Sequence, residues 1–176
     1  VAAGRVGLRL ALGDWAGLAP EIDRVADDLH KLQAGRQEME VRSLGAKLAF
    51  YEGRLAEAWE RFAQMSELGL QRPGEAWRAW GPVGQCEAGL CLGGPDEALL
   101  QSLFDRASLL LTEMENVDAA YVLRRQGLAA CLAWRRGDAE AALDAVRAGA
   151  AAAARTRLFG FWAHEGLAGL GDTLVA

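Results

Sequence analysis

Four glycines frame this chain. Gly13, Gly53, Gly93 and Gly137 stand 40, 40 and 44 residues apart, followed by Asp14-Trp15, Arg54-Leu55, Gly94-Pro95-Asp96 and Asp138-Ala139. Glycine ends helices readily because it enters the left-handed backbone region without a Cβ penalty. After Gly53, residues Leu55, Ala58, Trp59, Phe62 and Met65 fall on one helical face. Lys47–Met65 therefore reads as the end of one helix, a turn and the start of an antiparallel partner. An alanine follows five residues after three of the glycines, at Ala58, Ala98 and Ala142. Self-similarity at such a period marks stacked repeats, in which each hairpin hides its apolar side only against its neighbours. The expected fold is all-α, a solenoid of antiparallel helix hairpins with about nine helices in four and a half repeats. We read 1–176 as a single repeat domain, with approximate repeats 1–34, 37–70, 75–115 and 118–156 and a closing helix at 157–176.

Composition agrees with that class. The chain is 52% hydrophobic and 24% charged, with four prolines, abundant Ala, Leu, Glu and Arg, and no convincing alternating strand. No apolar run approaches the roughly 18–20 residues that cross a bilayer, so no membrane partner is expected. A net charge of −5 argues against nucleic-acid binding as the main activity. Three cysteines (Cys86, Cys91, Cys131) and an N-terminus unlike a signal peptide fit reduced thiols in the cytoplasm. Opening on Val and ending in an apolar stretch, the sequence reads as a domain excised from a longer protein.

In order, the spacing predicts a helix over Ala2–Leu12, although Leu8, Leu10 and Leu12 also alternate as a strand would. A second helix starts near Ala16 with Pro20 in its first turn and a stripe of Leu18, Ile22, Val25, Leu29 and Leu32. Val41, Leu44, Leu48 and Tyr51 mark the buried side of the third. Gln71-Arg72-Pro73-Gly74 is the plainest inter-repeat loop. The next helix carries Trp77 and Trp80 and then many small residues, with Pro82 kinking it or delaying its start to Gly81. Asp96 caps a helix reaching Met114, with the stripe Leu100, Leu103, Phe104, Ala107, Leu111 and Met114. The fourth pair spans about Asp118–Arg136 and Ala139–Thr156, with Asp138 as N-cap.

Catalytic motifs do not emerge. Cys86 and Cys91 point about 140° apart on a helix and read as small buried hydrophobes rather than zinc ligands. His164-Glu165 lacks the second histidine of a metalloprotease motif, and Gly166–Gly171 lacks the strand that precedes a dinucleotide fingerprint. No metal or cofactor is expected. What remains is surface. The first helix of each stacked hairpin usually lines a concave groove. Counting back from the turn glycines, the groove-facing candidates are Lys47, Tyr51, Trp80, Glu87, Arg124 and Trp134. Trp80 and Trp134 fit space-filling between repeats equally well.

The Gly-x4-Ala turn with an aromatic four residues later (Gly53, Ala58, Phe62) resembles the tetratricopeptide repeat, with a period of 40–44 in place of 34. Ala79–Glu87 and Phe161–Gly169, with Gly127-Leu128-Ala129-Ala130 and Arg136-Gly137-Asp138 between them, resemble a more specific group. That group is the C-terminal repeat region of bacterial signalling proteins that join a class III adenylate or guanylate cyclase to an AAA-type ATPase. The resemblance implies a non-catalytic interaction or regulatory domain. Its groove would bind a protein or peptide partner, or the ATPase and cyclase domains of its own full-length chain. Related arrays in ATP-dependent transcription activators imply the alternative of a domain sensing a small-molecule effector.

Overall fold

The computed structural model describes the backbone over residues 2–70, 76–112 and 119–155. Eight α-helices occupy these residues: α1 (Ala2–Ala11), α2 (Leu18–Lys31), α3 (Gly35–Tyr51), α4 (Leu55–Leu70), α5 (Trp80–Leu92), α6 (Glu97–Thr112), α7 (Ala119–Arg135) and α8 (Ala139–Arg155). A 3-10 turn, Ala76–Ala79, leads into α5. The protein is all-α over the described residues. The expected loop at 71–74, the end of α6 at Met114 and the ninth helix at 157–176 lie outside them.

The four framing glycines take the left-handed conformation that ends helices. Gly13, Gly53, Gly93 and Gly137 have φ of 73°, 74°, 66° and 77°. At three of them the turn closes with the same pair of bonds. The N–H groups of Gly13, Gly53 and Gly137 donate to Leu10, Phe50 and Trp134. Those of Asp14, Arg54 and Asp138 donate to Arg9, Ala49 and Ala133, all at 2.9–3.2 Å. This is the two-bond C-terminal cap that satisfies otherwise orphaned helix carbonyls. The downstream helices start on side-chain caps where Asp is available: Asp96 Oδ1 accepts from Leu99 N–H at 2.7 Å, and Asp138 Oδ1 from Ala141 N–H at 3.0 Å.

The end of α2 uses the same cap without a glycine. Gln33 N–H donates to His30 O and Ala34 N–H to Leu29 O, while Gln33 sits at φ 55°. A side chain in that region costs about 1 kcal/mol, part of which glycine returns through its freer unfolded chain. Gln33→Gly is therefore expected to raise stability by up to about 1 kcal/mol, a few degrees in Tm. Gln33→Ala should give no such gain, and equal melting curves for the two variants would contradict the cap reading.

The chain divides into two compact units, Val1–Gly94 and Pro95–Ala176. In the first, α1 packs on α2 and α3; α3 packs on α2, α4 and α5; and α4 packs on α5. With neighbours on several sides, α3 buries Met39, Val41, Leu44, Ala46, Leu48 and Ala49, and also the polar Glu38, Ser43 and Lys47. A helix covered this way shows no single apolar stripe. The same holds for α5, buried from Gly81 to Cys86 and again at Ala88 and Gly89. The α-helix starts late, after the 3-10 turn and one residue ahead of the start at Gly81 expected from Pro82. The helix begins at Trp80, so Pro82 falls in the first turn, where backbone N–H groups have no intrahelical partner anyway.

α5 lies very close to α4. A Cβ on Gly81 would stand 2.5 Å from Ser66 N, and one on Gly84 would meet the Phe62 ring. Ser66 Oγ bridges the same contact, 3.1 Å from Phe62 O and 3.3 Å from Gln85 Oε1. Around it, Met39, Ala46, Ala49, Ala58, Phe62, Met65 and Ala88 form one buried cluster flanked by Phe50, Trp59, Leu68 and Trp80.

In the second unit α7 packs on α6 and α8. Buried residues are Leu100, Leu103, Ala107 and Leu111 on α6, Leu123, Leu128, Leu132 and Ala133 on α7, and Ala142 on α8.

Several expected core positions are exposed. Leu32 follows the last residue of α2, past its packed turns, and is 76% exposed. Cys91 is exposed in the last turn of α5, while Cys86 is buried as expected. Tyr51, expected on the buried side of α3, is 40% exposed at its last turn. Residues 8, 10 and 12 do not form a strand. Leu10 turns inward with Val6, and Leu8 and Leu12 face solvent.

Candidate interaction surface

The six residues singled out from the sequence lie on α3, α5 and α7. Lys47 and Tyr51 stand one turn apart on α3, and Trp80 and Glu87 lie on α5, which packs on α3. Arg124 and Trp134 belong to α7 of the second unit. Their exposure differs sharply. Lys47 and Arg124 are buried, Trp80 and Glu87 are partly buried, and Tyr51 and Trp134 are exposed to 40% and 57%. Trp80 packs against the α3–α4–α5 cluster, the space-filling position weighed for it above. Trp134 projects to solvent next to Arg135, Arg136 and the Gly137 turn.

Tyr51 belongs to a small aromatic platform. Its ring stacks on Trp15 with centroids 6.1 Å apart and planes 14° from parallel. Trp15 is itself pinned by its indole N–H, which donates to Leu10 O at 3.1 Å. The platform thus joins the α1–α2 turn to the end of α3, presenting two aromatic residues of the kind that dominate binding energetics.

A polar network that the sequence reading did not find joins α1 to α2. Arg5 and Arg9 both bond Glu21, Arg9 at 2.5 Å. Arg9 also donates through Nε to Asp14 at 2.7 Å and through Nη2 to Ala16 O at 2.8 Å. Arg5, Arg9 and Glu21 line an open cleft of about 650 Å³ with Pro20 and Arg24. The Arg5 hydrogen bond, helped by Arg9, holds the Glu21 carboxyl below the ordinary glutamate value, and Arg9 does the same for Asp14. A carboxyl depressed on folding stabilises the fold fully above its unfolded value, about 4.3 for Glu, and loses that contribution as pH falls through the lower folded value. The melting temperature is therefore expected to drop on acidification below about pH 4.3, and Glu21→Gln should flatten that drop. Identical profiles for the two proteins would rule out this linkage.

Farther along the same layer, Arg61 of α4 reaches Asp23 of α2 at 2.8 Å and Glu57 of its own helix at 2.8 Å. Its guanidinium passes over Gly45 of α3, where a Cβ would stand 3.1 Å from Nη1. Glu38, buried in α3, accepts from Arg42 Nε at 2.9 Å and lies 3.2 Å from His30 Nδ1. Only the periodic opposition of signs could have flagged such pairs, and it does not distinguish them from solvated charge.

Among the described residues no group of three or more His, Cys, Asp or Glu is placed to hold a metal ion, and no helix is long and apolar enough to cross a membrane. Of the segments that carried the family resemblance, Ala79–Glu87 enters α5, Gly127–Ala130 lies within α7 and Arg136–Asp138 makes the α7–α8 turn. Phe161–Gly169 lies outside the described residues. Compared with models of known families, with curated proteins and with solved structures, the chain matches none.

Proposed function

We propose that this chain is a non-catalytic, tetratricopeptide-like repeat domain that binds a protein or peptide segment, as a regulatory part of a larger bacterial signalling protein in the cytoplasm. The observation that carries this reading is the recurrence of one capped turn at Gly13, Gly53 and Gly137. It is supported in the first unit by α1 packing on α3 and α3 on α5, so that alternate helices along the chain stand beside one another. In helical repeats, rows of this kind form extended binding faces. The exposed Tyr51 on its Trp15 partner gives that face an aromatic contact point. Cyclase and ATPase domains of the same full-length chain are the proposed neighbours, by the resemblance of α5 and the α7–α8 turn to the repeat regions of such proteins.

The test places a photo-crosslinking amino acid at Tyr51, at Trp134, or at the exposed α8 residue Arg147 as a control, in the source cells. Discrete protein adducts at Tyr51 or Trp134 and none at Arg147 are expected. A saturable small metabolite found by ligand-observed NMR and lost on Trp80→Ala, without protein adducts, would replace this reading with an effector sensor. Turnover of a nucleotide by the purified chain would replace it with an enzyme.

A further inference from the structure

α1 carries a second apolar stripe that its own fold leaves uncovered. Val6 and Leu10 are buried, 0% and 3% exposed, on the helix that packs on α2 and α3. On the opposite side of the helix Leu8 and Leu12 are 59% and 72% exposed. Leu12 keeps helical register, since its N–H still donates to Leu8 O at 3.0 Å. With 3.6 residues per turn, Leu8, Leu12, Arg5 and Arg9 share an arc of about 100°. Two leucines one turn apart are thus flanked by two arginines, on a helix with no acidic residue.

The cleft between α1 and α2 is mostly positive, with Arg5, Arg9 and Arg24 set against Glu21. Arg9 is committed through Nε, Nη1 and Nη2 to Asp14, Glu21 and Ala16 O. Arg5 spends one guanidinium nitrogen on Glu21 and stays 61% exposed. Arg24 lines the same cleft from α2 and makes no ion pair among the described residues. Arg5, on the same arc as the leucines, and Arg24, across the cleft on α2, therefore keep free N–H donors in a protein whose net charge is −5.

We propose that the outer face of α1 and the α1–α2 cleft form a docking site for an acidic amphipathic helix of a partner protein. Leucines of the partner one turn apart would seat on Leu8 and Leu12, and its carboxylates would meet Arg5 and Arg24. Helix-on-helix docking uses this one-turn spacing of apolar contacts, and opposite charge at the rim supplies specificity and speed of encounter. A second copy fits less well, because an isologous pairing lays one arginine-bearing face on another. An anionic membrane fits less well because the chain as a whole repels it. The proposal rests on the interaction-domain reading but places the contact on α1 and α2, away from Tyr51 and Trp134.

The probe is a fluorescent helical peptide of about four turns with leucines at i, i+3, i+4 and i+7 and glutamates elsewhere. A twin carries lysine for every glutamate. Binding to the full chain is read by anisotropy at low salt. The Glu peptide is expected to bind at least about tenfold more tightly than the Lys peptide, an attraction that salt screens. Leu12→Ser and Arg24→Glu should each weaken it about tenfold or more, whereas Arg147→Glu on α8 should not. All three side chains are exposed, so circular dichroism melts should stay at the wild-type value. Equal binding of the two peptides, or unchanged binding by Leu12→Ser, overturns the site. So does a self-association, or a co-sedimentation with phosphatidylserine vesicles, that Leu12→Ser abolishes. Binding that survives both α1–α2 substitutions but is lost on Tyr51→Ser or Trp134→Ser overturns this site and keeps the broader reading. Failed crosslinking at Tyr51 and Trp134 leaves this result standing.

Discussion

Gly81→Ala is expected to cost about 3 kcal/mol or more of stability despite replacing a glycine inside a helix. Alanine by itself favours a helix over glycine by about 1 kcal/mol. Here the new methyl group would stand 2.5 Å from Ser66 N and 2.8 Å from Ser66 Cα, so α4 and α5 must separate. Backbone cannot rotate aside as a side chain can. Separation would also stretch the Ser66–Gln85 contact, which at 3.3 Å is already long. Gly84→Ala meets a different obstacle, the ring of Phe62. It should also destabilise, by about 2–3 kcal/mol, because Phe62 is only 2% exposed and has little room to turn. The two differ in rescue. Shortening Phe62 to Leu should recover part of the Gly84→Ala loss and none of the Gly81→Ala loss. Urea titrations followed by circular dichroism would measure the wild type, the three single variants and the two doubles. Rescue of Gly81→Ala by the Phe62 change would show that the helices are not held at the distance described.

Phe62→Ala should itself cost about 3–5 kcal/mol, the usual range for emptying a buried aromatic site. Phe62 sits in the cluster that joins α3, α4 and α5, with Met39, Ala46, Met65 and Ala88 around it. For a domain stable by about 5–15 kcal/mol this is a large share. The effect should be strongly coupled to residue 84. In the Phe62→Ala background, Gly84→Ala places a methyl group into vacated space and should become neutral or stabilising. Additive losses in the double-mutant cycle would contradict direct contact between the two positions.

The helices were legible because their signals are local. A turn glycine, an aspartate able to cap and an apolar period of 3.6 suffice for Gly13, Gly53 and Gly137 and for the starts at Asp96 and Asp138. Legibility fell where covering neighbours determine burial. The heptad stripe of α2 includes Leu32 by spacing, yet the helix has ended there and the side chain faces water. In α3 and α5 almost every side is covered, so periodicity carries little information about which residues are buried. Lys47 and Arg124 show the same difficulty. As long cations they read as surface, yet they are only 5% and 8% exposed. The Arg9–Glu21 pair and the Trp15–Tyr51 stack were invisible for a related reason, since each joins residues well apart along the chain that only packing brings together.

The amino-acid sequence alone determined the helical class, the positions of the turns and the caps that close them, because a left-handed glycine or a capping aspartate acts within about five residues of itself. The tertiary structure decided how closely α4 and α5 approach, which face of α1 is left to solvent and where the arginines gather. Those outcomes depend on side chains from separate helices competing for the same space and the same water, and spacing along a single strand of sequence does not record that competition.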